Sequence, residues 1–103
     1  MKGFIYIDDD LIGEADFKII DESMGVVGGE LIPHHSYEKY KNRIRTLYEQ
    51  KGIANSNDFN FKIVLNDIVL EPKGGIGITD SVEFEEIYVE AAGLNSTFIN
   101  TLK

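Results

Sequence analysis

The side chains here that could do chemistry are acids and one pair of histidines. Eighteen Asp and Glu stand against ten Lys and Arg, two His and no Cys. His34 and His35 are adjacent, just after Pro33. Imidazole nitrogens suit zinc and similar ions, and Asp8 to Asp10 or Asp21-Glu22 could complete a ligand set around them. Neighbouring histidines on a strand-to-helix loop point apart, however, and a structural zinc site is hard to build without Cys. The plainer alternative is a loop pair that partly caps the helix start.

The run Asp8-Asp9-Asp10 invites a calcium or magnesium reading. From Asp8 to Glu14 it lacks the alternating ligand pattern of a calcium loop, and it sits between two strands, so a polar hairpin turn is expected. Nucleophilic catalysis has little to work with: there is no Cys, no Gly-x-Ser-x-Gly elbow, and no Ser with a recognisable His partner. Converging carboxylates would serve glycoside chemistry, but nothing in the sequence singles out a pair. Met24 to Gly29 lacks the spacing and the Lys-Ser/Thr ending of a phosphate loop.

Charge carries more information. The formal net charge is −8, which disfavours nucleic acid and anionic membrane surfaces as partners. Its distribution is uneven. Lys39, Lys41, Arg43, Arg45 and Lys51 lie in one helical segment with Glu38 and Glu49, while Asp80, Glu83, Glu85, Glu86 and Glu90 crowd the C-terminal third. One reading is a basic helix and an acidic sheet face that partly compensate each other within the fold. The sharper reading is an acidic surface of Glu83, Glu85, Glu86 and Glu90, with Asp8, Asp9 and Asp10, that binds a basic protein. Immunity- or antitoxin-like inhibitors of basic nucleases work in this way. The expected function is therefore a non-enzymatic protein-interaction module, with no cofactor. The alternative is a small-ligand- or metal-binding protein, enzymatic or not, centred on His34 and His35. A homo-oligomer paired through an edge strand is compatible with either.

The elements that must position these residues follow from periodicity. Strands are expected over 3–8 and 11–20, the second alternating Gly13, Ala15, Phe17 and Ile19 with Glu14, Asp16 and Lys18. A polar turn at Asp21-Glu22-Ser23 joins it to a strand over 24–32, giving an antiparallel hairpin. Gly25, Gly28 and Gly29 in that third strand mark a bulge, a coil of the sheet or a close backbone approach. An amphipathic helix is expected over about 37–51, capped by Ser36 and ended by Gly52. Its buried stripe comprises Tyr40, Ile44 and Leu47, joined by Tyr37 and Tyr48. A strand over 60–66, continuing through 68–71, is followed by a turn at Pro72 to Gly75. An edge strand at 76–79 and a long strand over 82–92 complete the sheet, and the tail from Asn95 docks through Phe98, Ile99 and Leu102. The expected class is α+β: one domain over 1–103, with a bent, mostly antiparallel sheet of about six strands and one helix between the third and fourth. The absence of Cys, of an apolar leader and of any membrane-length apolar run points to the cytoplasm.

Ile12-Gly13, Phe17, Asp21, Met24-Gly25-Val26-Val27, Gly29, Pro33 and Tyr37 form a spaced pattern. In these positions the chain resembles a family of small, uncharacterised bacterial proteins, departing from it at Gly28, where a larger residue is expected. The resemblance implies the hairpin-then-helix order and a bacterial origin, and no activity.

Overall fold

The computed structural model describes residues 1–103. Alternation makes its strands. In β1 (Lys2–Ile7) Gly3, Ile5 and Ile7 are buried, while Phe4 and Tyr6 are partly covered on the other face. In β6 (Phe61–Leu65) Phe61, Ile63 and Leu65 repeat the pattern beside β1. Asp8, in the left-handed region at φ 53°, turns β1 into β2 (Asp10–Asp16), as a short polar side chain there can.

β2, β3 (Lys18–Asp21) and β4 (Val26–Pro33) form the expected hairpin, with Ala15 opposite Leu31 and Lys18 opposite Gly28. The expected strand over 11–20 is broken at Phe17. There the chain bends, so that the second half of β4 pairs with β2 and the first half with β3 and the last strand. Gly29 sits at the bend, and a Cβ on it would lie 2.4 Å from the Asp16 carbonyl oxygen. This glycine therefore serves backbone approach within the sheet.

The remaining elements are β5 (Ala54–Asn55), β7 (Ile68–Val69), β8 (Gly75–Asp80), β9 (Ile87–Ala92) and the helices α1 (Lys41–Lys51) and α2 (Ser96–Thr101). The antiparallel sheet runs β5-β8-β9-β4-β2-β1-β6-β7, with β3 beside β4, and curls strongly around a cluster of 21 buried residues. The α+β class and the bent antiparallel sheet hold; the expected six strands become nine. Phe17 splits one strand in two, and β5 and β7, at two residues each, are too short to show a period. Nor is the segment Ile76 to Thr79 an edge: β8 pairs with β9 along its length and with β5 at Gly77 and Ile78. β9 likewise lies between β8 and β4.

The helix expected over 37–51 is α-helical only from Lys41. His35–Lys39 forms a 3₁₀ turn, Ser36 lies inside it, and neither His34 nor Tyr40 makes a side-chain capping bond. Tertiary contacts fix this first turn: the Tyr37 hydroxyl is bonded to Asp80, and Lys39 and Tyr40 both reach Asp10. Such contacts override the weak helical preference of a single turn. Downstream, Ile44 is buried and Tyr40, Leu47 and Tyr48 are partly buried. Gly52 ends α1 at φ 84°, with its N–H donating to the Tyr48 carbonyl at 2.7 Å. The tail docks as expected, but as a second helix. Asn95 caps α2 by accepting from the Phe98 N–H at 2.7 Å, and Ile99 is buried. No helix is long and apolar enough to cross a membrane.

Candidate functional site

β8 ends in a buried carboxylate. Asp80 accepts from the Tyr37 hydroxyl at 2.7 Å and from Arg45 Nε at 3.2 Å, which ties the 3₁₀ turn and α1 to the end of the strand. Ser81, also buried, reverses the chain immediately: its Oγ accepts from the Glu83 N–H at 3.1 Å and its carbonyl from the Phe84 N–H at 3.2 Å. Residues 81–86 are therefore a hydrogen-bonded turn and loop. The strand expected over 82–92 begins only at Ile87. Three glutamates in four residues, Glu83, Glu85 and Glu86, suit a strand poorly, and the Ser81 turn supplies the alternative.

The consequence is apolar exposure. Val82 is 66% and Phe84 60% exposed at the tip of this loop. Beyond it, pleating turns Tyr88 and Glu90 outward, with Tyr88 opposite Glu30 of β4 and Glu90 opposite Gly28. Gly28 contributes no side chain to this outer face. The Ile20 side chain from β3 leans over it, so that a Cβ at Gly28 would lie 2.5 Å from Ile20 Cδ1. Ile20 and Ile32 are themselves more than half exposed. Ile20, Ile32, Glu30, Glu86 and Tyr88 line one open hollow of about 570 Å³, together with Asp16 and Lys18. Glu86 and Tyr88 are shared with a second hollow around Phe84, Glu83 and Glu85. The outer face of β4–β9 and the loop thus form one continuous apolar and acidic surface.

Its charge is uncompensated. Glu30, Glu83, Glu85, Glu86 and Glu90 make none of the ion pairs in the chain. The basic helical segment is the opposite case. Lys39 pairs with Asp10 at 2.9 Å, Lys41 with Glu38 at 3.8 Å, Arg45 with Asp80 at 3.2 Å and Lys51 with Asp58 at 2.8 Å. Arg43 stacks 4.8 Å from the centre of the Phe59 ring. Internal compensation therefore describes the helix and leaves out the outer sheet face.

The acids of the first hairpin lie elsewhere. Asp8 and Asp9 line a separate hollow with Asn60 and Lys62, and Asn60 Nδ2 donates to Asp8 at 3.3 Å. Asp10 is engaged by Tyr40 and Lys39, whose hydrogen bonds hold its carboxyl below the usual carboxylate range. Only Glu83, Glu85, Glu86 and Glu90 are gathered on one surface.

His34 stands 3.4 Å from Glu14, which also meets Lys2 at 3.5 Å, and His35 is exposed at the start of the 3₁₀ turn. The expected helix-capping role fails, since the His34 side chain makes no capping bond. No group of three or more His, Asp or Glu is placed to hold a metal ion.

Sequence reasoning missed Val82, Phe84, Tyr88, Ile20, Ile32 and Glu30 as surface neighbours: Ile20, Glu30 and Ile32 come from β3 and β4, which only the folded sheet brings beside Tyr88, and a strand over 82–92 hides the loop that exposes Val82 and Phe84. The available signal was Ser81 placed two residues before the first of three close glutamates. No protein-family model, curated protein or solved structure matches this chain.

Proposed function

We propose that the chain is a non-enzymatic protein-interaction module that binds a basic partner through the loop 81–86 and the outer face of β9. One observation carries this reading. Phe84, 60% exposed, is held out in water between Glu83 and Glu85 by a turn whose base, Asp80 and Ser81, is buried. An aromatic side chain held out by a hydrogen-bonded turn inside a polar ring is the arrangement of an interface anchor. Unpaired glutamates around it attract a cationic partner and set its orientation. An inhibitor of a basic enzyme, in the manner of an immunity protein or antitoxin, is the finer form of the same reading.

The test begins with tagged protein in a lysate of its native host, at low and then moderate salt, to obtain a basic protein whose retention is salt-sensitive. Purified, that protein should bind the parent chain and lose binding to Phe84→Ala and to the triple change Glu83→Lys, Glu85→Lys, Glu86→Lys. All these positions are exposed, so thermal melting of the variants should match the parent. Undiminished binding by both variants would sink the proposal.

A further inference from the structure

We propose that the gap between the two ends of the curled sheet is a binding site for a small organic oxyanion, a carboxylate or phosphate carried on an apolar body. The site shares no residue with the hollows around Phe84 and Tyr88 and is independent of the reading given for that surface.

Topology builds the gap. β5 and β7 are the two ends of the strand order and do not pair with each other. Between them lies a hollow of about 450 Å³, within the size range of small-molecule sites. Its apolar side comes from Phe61 of β6 and from Leu70, which continues β7 by donating its N–H to the Ile63 carbonyl at 2.9 Å. The loop 55–58 gives the polar side, and hydrogen bonds hold that loop in shape. Asn55 Oδ1 accepts from the Asn57 N–H at 2.9 Å. The Ser56 hydroxyl accepts from the Ile76 N–H at 2.8 Å and lies 3.2 Å from the Ile76 carbonyl, to which it donates. Lys73, from the segment joining β7 to β8, completes the lining. The hollow is therefore formed before any ligand arrives.

Unspent donors and a missing charge select an anion. The Ser56 N–H and the Asn57 side-chain amide donate to no group in the chain. The Lys73 ammonium makes none of the ion pairs. No residue lining the hollow is Asp or Glu, in a chain that has eighteen of them. Hollows elsewhere on the surface are edged by Glu71, by Asp8 and Asp9, by Glu83 and Glu85, or by Asp16 and Glu30. Asp58, which ends the loop, spends its Oδ2 on Lys51 at 2.8 Å and on the Asn55 N–H at 3.0 Å, so its charge is compensated. A cation here would meet Lys73 with no carboxylate to offset it, and a neutral ligand would leave the ammonium unused. An oxyanion supplies the acceptors that these donors lack, and hydrogen bonds to an ion are the stronger kind. Its apolar body removes the Phe61 and Leu70 surface from water.

The probes are phenyl phosphate, benzoate and the neutral benzamide, each titrated into nitrogen-15-labelled full-length protein. The two anions separate a phosphate ligand from a carboxylate one. Saturable shifts of the Ser56, Asn57, Lys73 and Gly75 amides are expected with at least one anion by about 10 mM, where a ligand of millimolar Kd is nearly saturated. Lys73→Met should weaken that binding about fivefold, the effect of losing one partly screened charge pair. Asn57→Asp should abolish it by placing a carboxylate in the hollow. Both positions are exposed, so thermal melting of the variants should match the parent. The absence of saturable shifts with both anions would overturn the inference. So would benzamide binding as tightly as the anions, or undiminished binding by either variant.

Discussion

The Tyr37 hydroxyl donates to Asp80 at 2.7 Å, with both residues 1% exposed and the Arg45 guanidinium on the other carboxylate oxygen. A carboxylate so buried persists only when its oxygens are satisfied. No buried side-chain nitrogen or oxygen in the chain lacks a partner. The bond joins residues 43 apart in sequence and fixes the end of β8, from which the loop bearing Phe84 departs. The fold and the proposed interface meet at this carboxylate.

Removing the hydroxyl tests the lock. Tyr37→Phe leaves Asp80 buried with one of its two partners and should cost about 1–3 kcal/mol in urea unfolding. Arg45→Met removes the only compensating charge and should cost more, toward about 3–5 kcal/mol. A Tyr37→Phe protein as stable as the parent would mean the bond holds nothing together.

The same tyrosine makes stability depend on alkali. Burial, and then the bond to Asp80, push the Tyr37 phenol far above its ordinary value of 10.0. Below that value folded and unfolded chains both keep the proton, and this contribution to stability is fully present. Above it the unfolded chain loses the proton while the folded one keeps it, so stability falls as pH rises. Tyr40 shifts in the same direction through its bond to Asp10. Unfolding free energy measured at about pH 9 and about pH 11.5 should therefore drop more in the parent than in Tyr37→Phe. Equal drops would assign the effect elsewhere.

What could be read from the sequence follows chain distance. The β2–β3–β4 hairpin, the alternation of β6 and the end of α1 at Gly52 are set by neighbouring residues, and periodicity finds them. The start of the helix is set by Asp10 and Asp80, which lie far from Tyr37 and Tyr40 in sequence, so its local cap signal at Ser36 misled. The four glutamates of the candidate surface were legible as a charge excess. Ile20 and Ile32 were not, because they come from β3 and β4, which only the coiled sheet brings beside Tyr88.

Acid should destabilise the fold through a different set of groups. Tyr40 and then Lys39 lower the Asp10 carboxyl, the Asn55 N–H and then Lys51 lower Asp58, and the terminal amine lowers Asp16. A lowered folded value means stability is present above the unfolded value of 3.8 and is lost as pH falls below it. Melting temperature should hold from neutral pH down to that region and then decline. The decline should be shallower in a Tyr40→Phe, Lys51→Met double variant, which starts with fewer lowered carboxyls. An identical acid limb in that variant would show that these pairs do not govern it.

Three glycines separate backbone approach from backbone strain. At Gly29 an added methyl meets the Asp16 carbonyl oxygen at 2.4 Å, and neither strand can move without breaking the β2–β4 or β4–β9 pairing. At Gly28 it meets chiefly the end of the Ile20 side chain, an exposed and movable group, although the Val89 carbonyl at 3.0 Å adds some crowding. At Gly52 it meets nothing, and the only penalty is the left-handed φ of 84°. Gly52→Ala should thus cost about 1–2 kcal/mol. Gly29→Ala should exceed the usual overpacking cost of about 1–3 kcal/mol, since backbone rather than a side chain must yield. Gly28→Ala should fall below Gly29→Ala, because the end of the Ile20 side chain can swing aside without breaking a strand pairing. Urea unfolding of the three variants orders them directly. If Gly28→Ala proved the most damaging, Ile20 would be a fixed part of the packing and not a movable cover on the outer face.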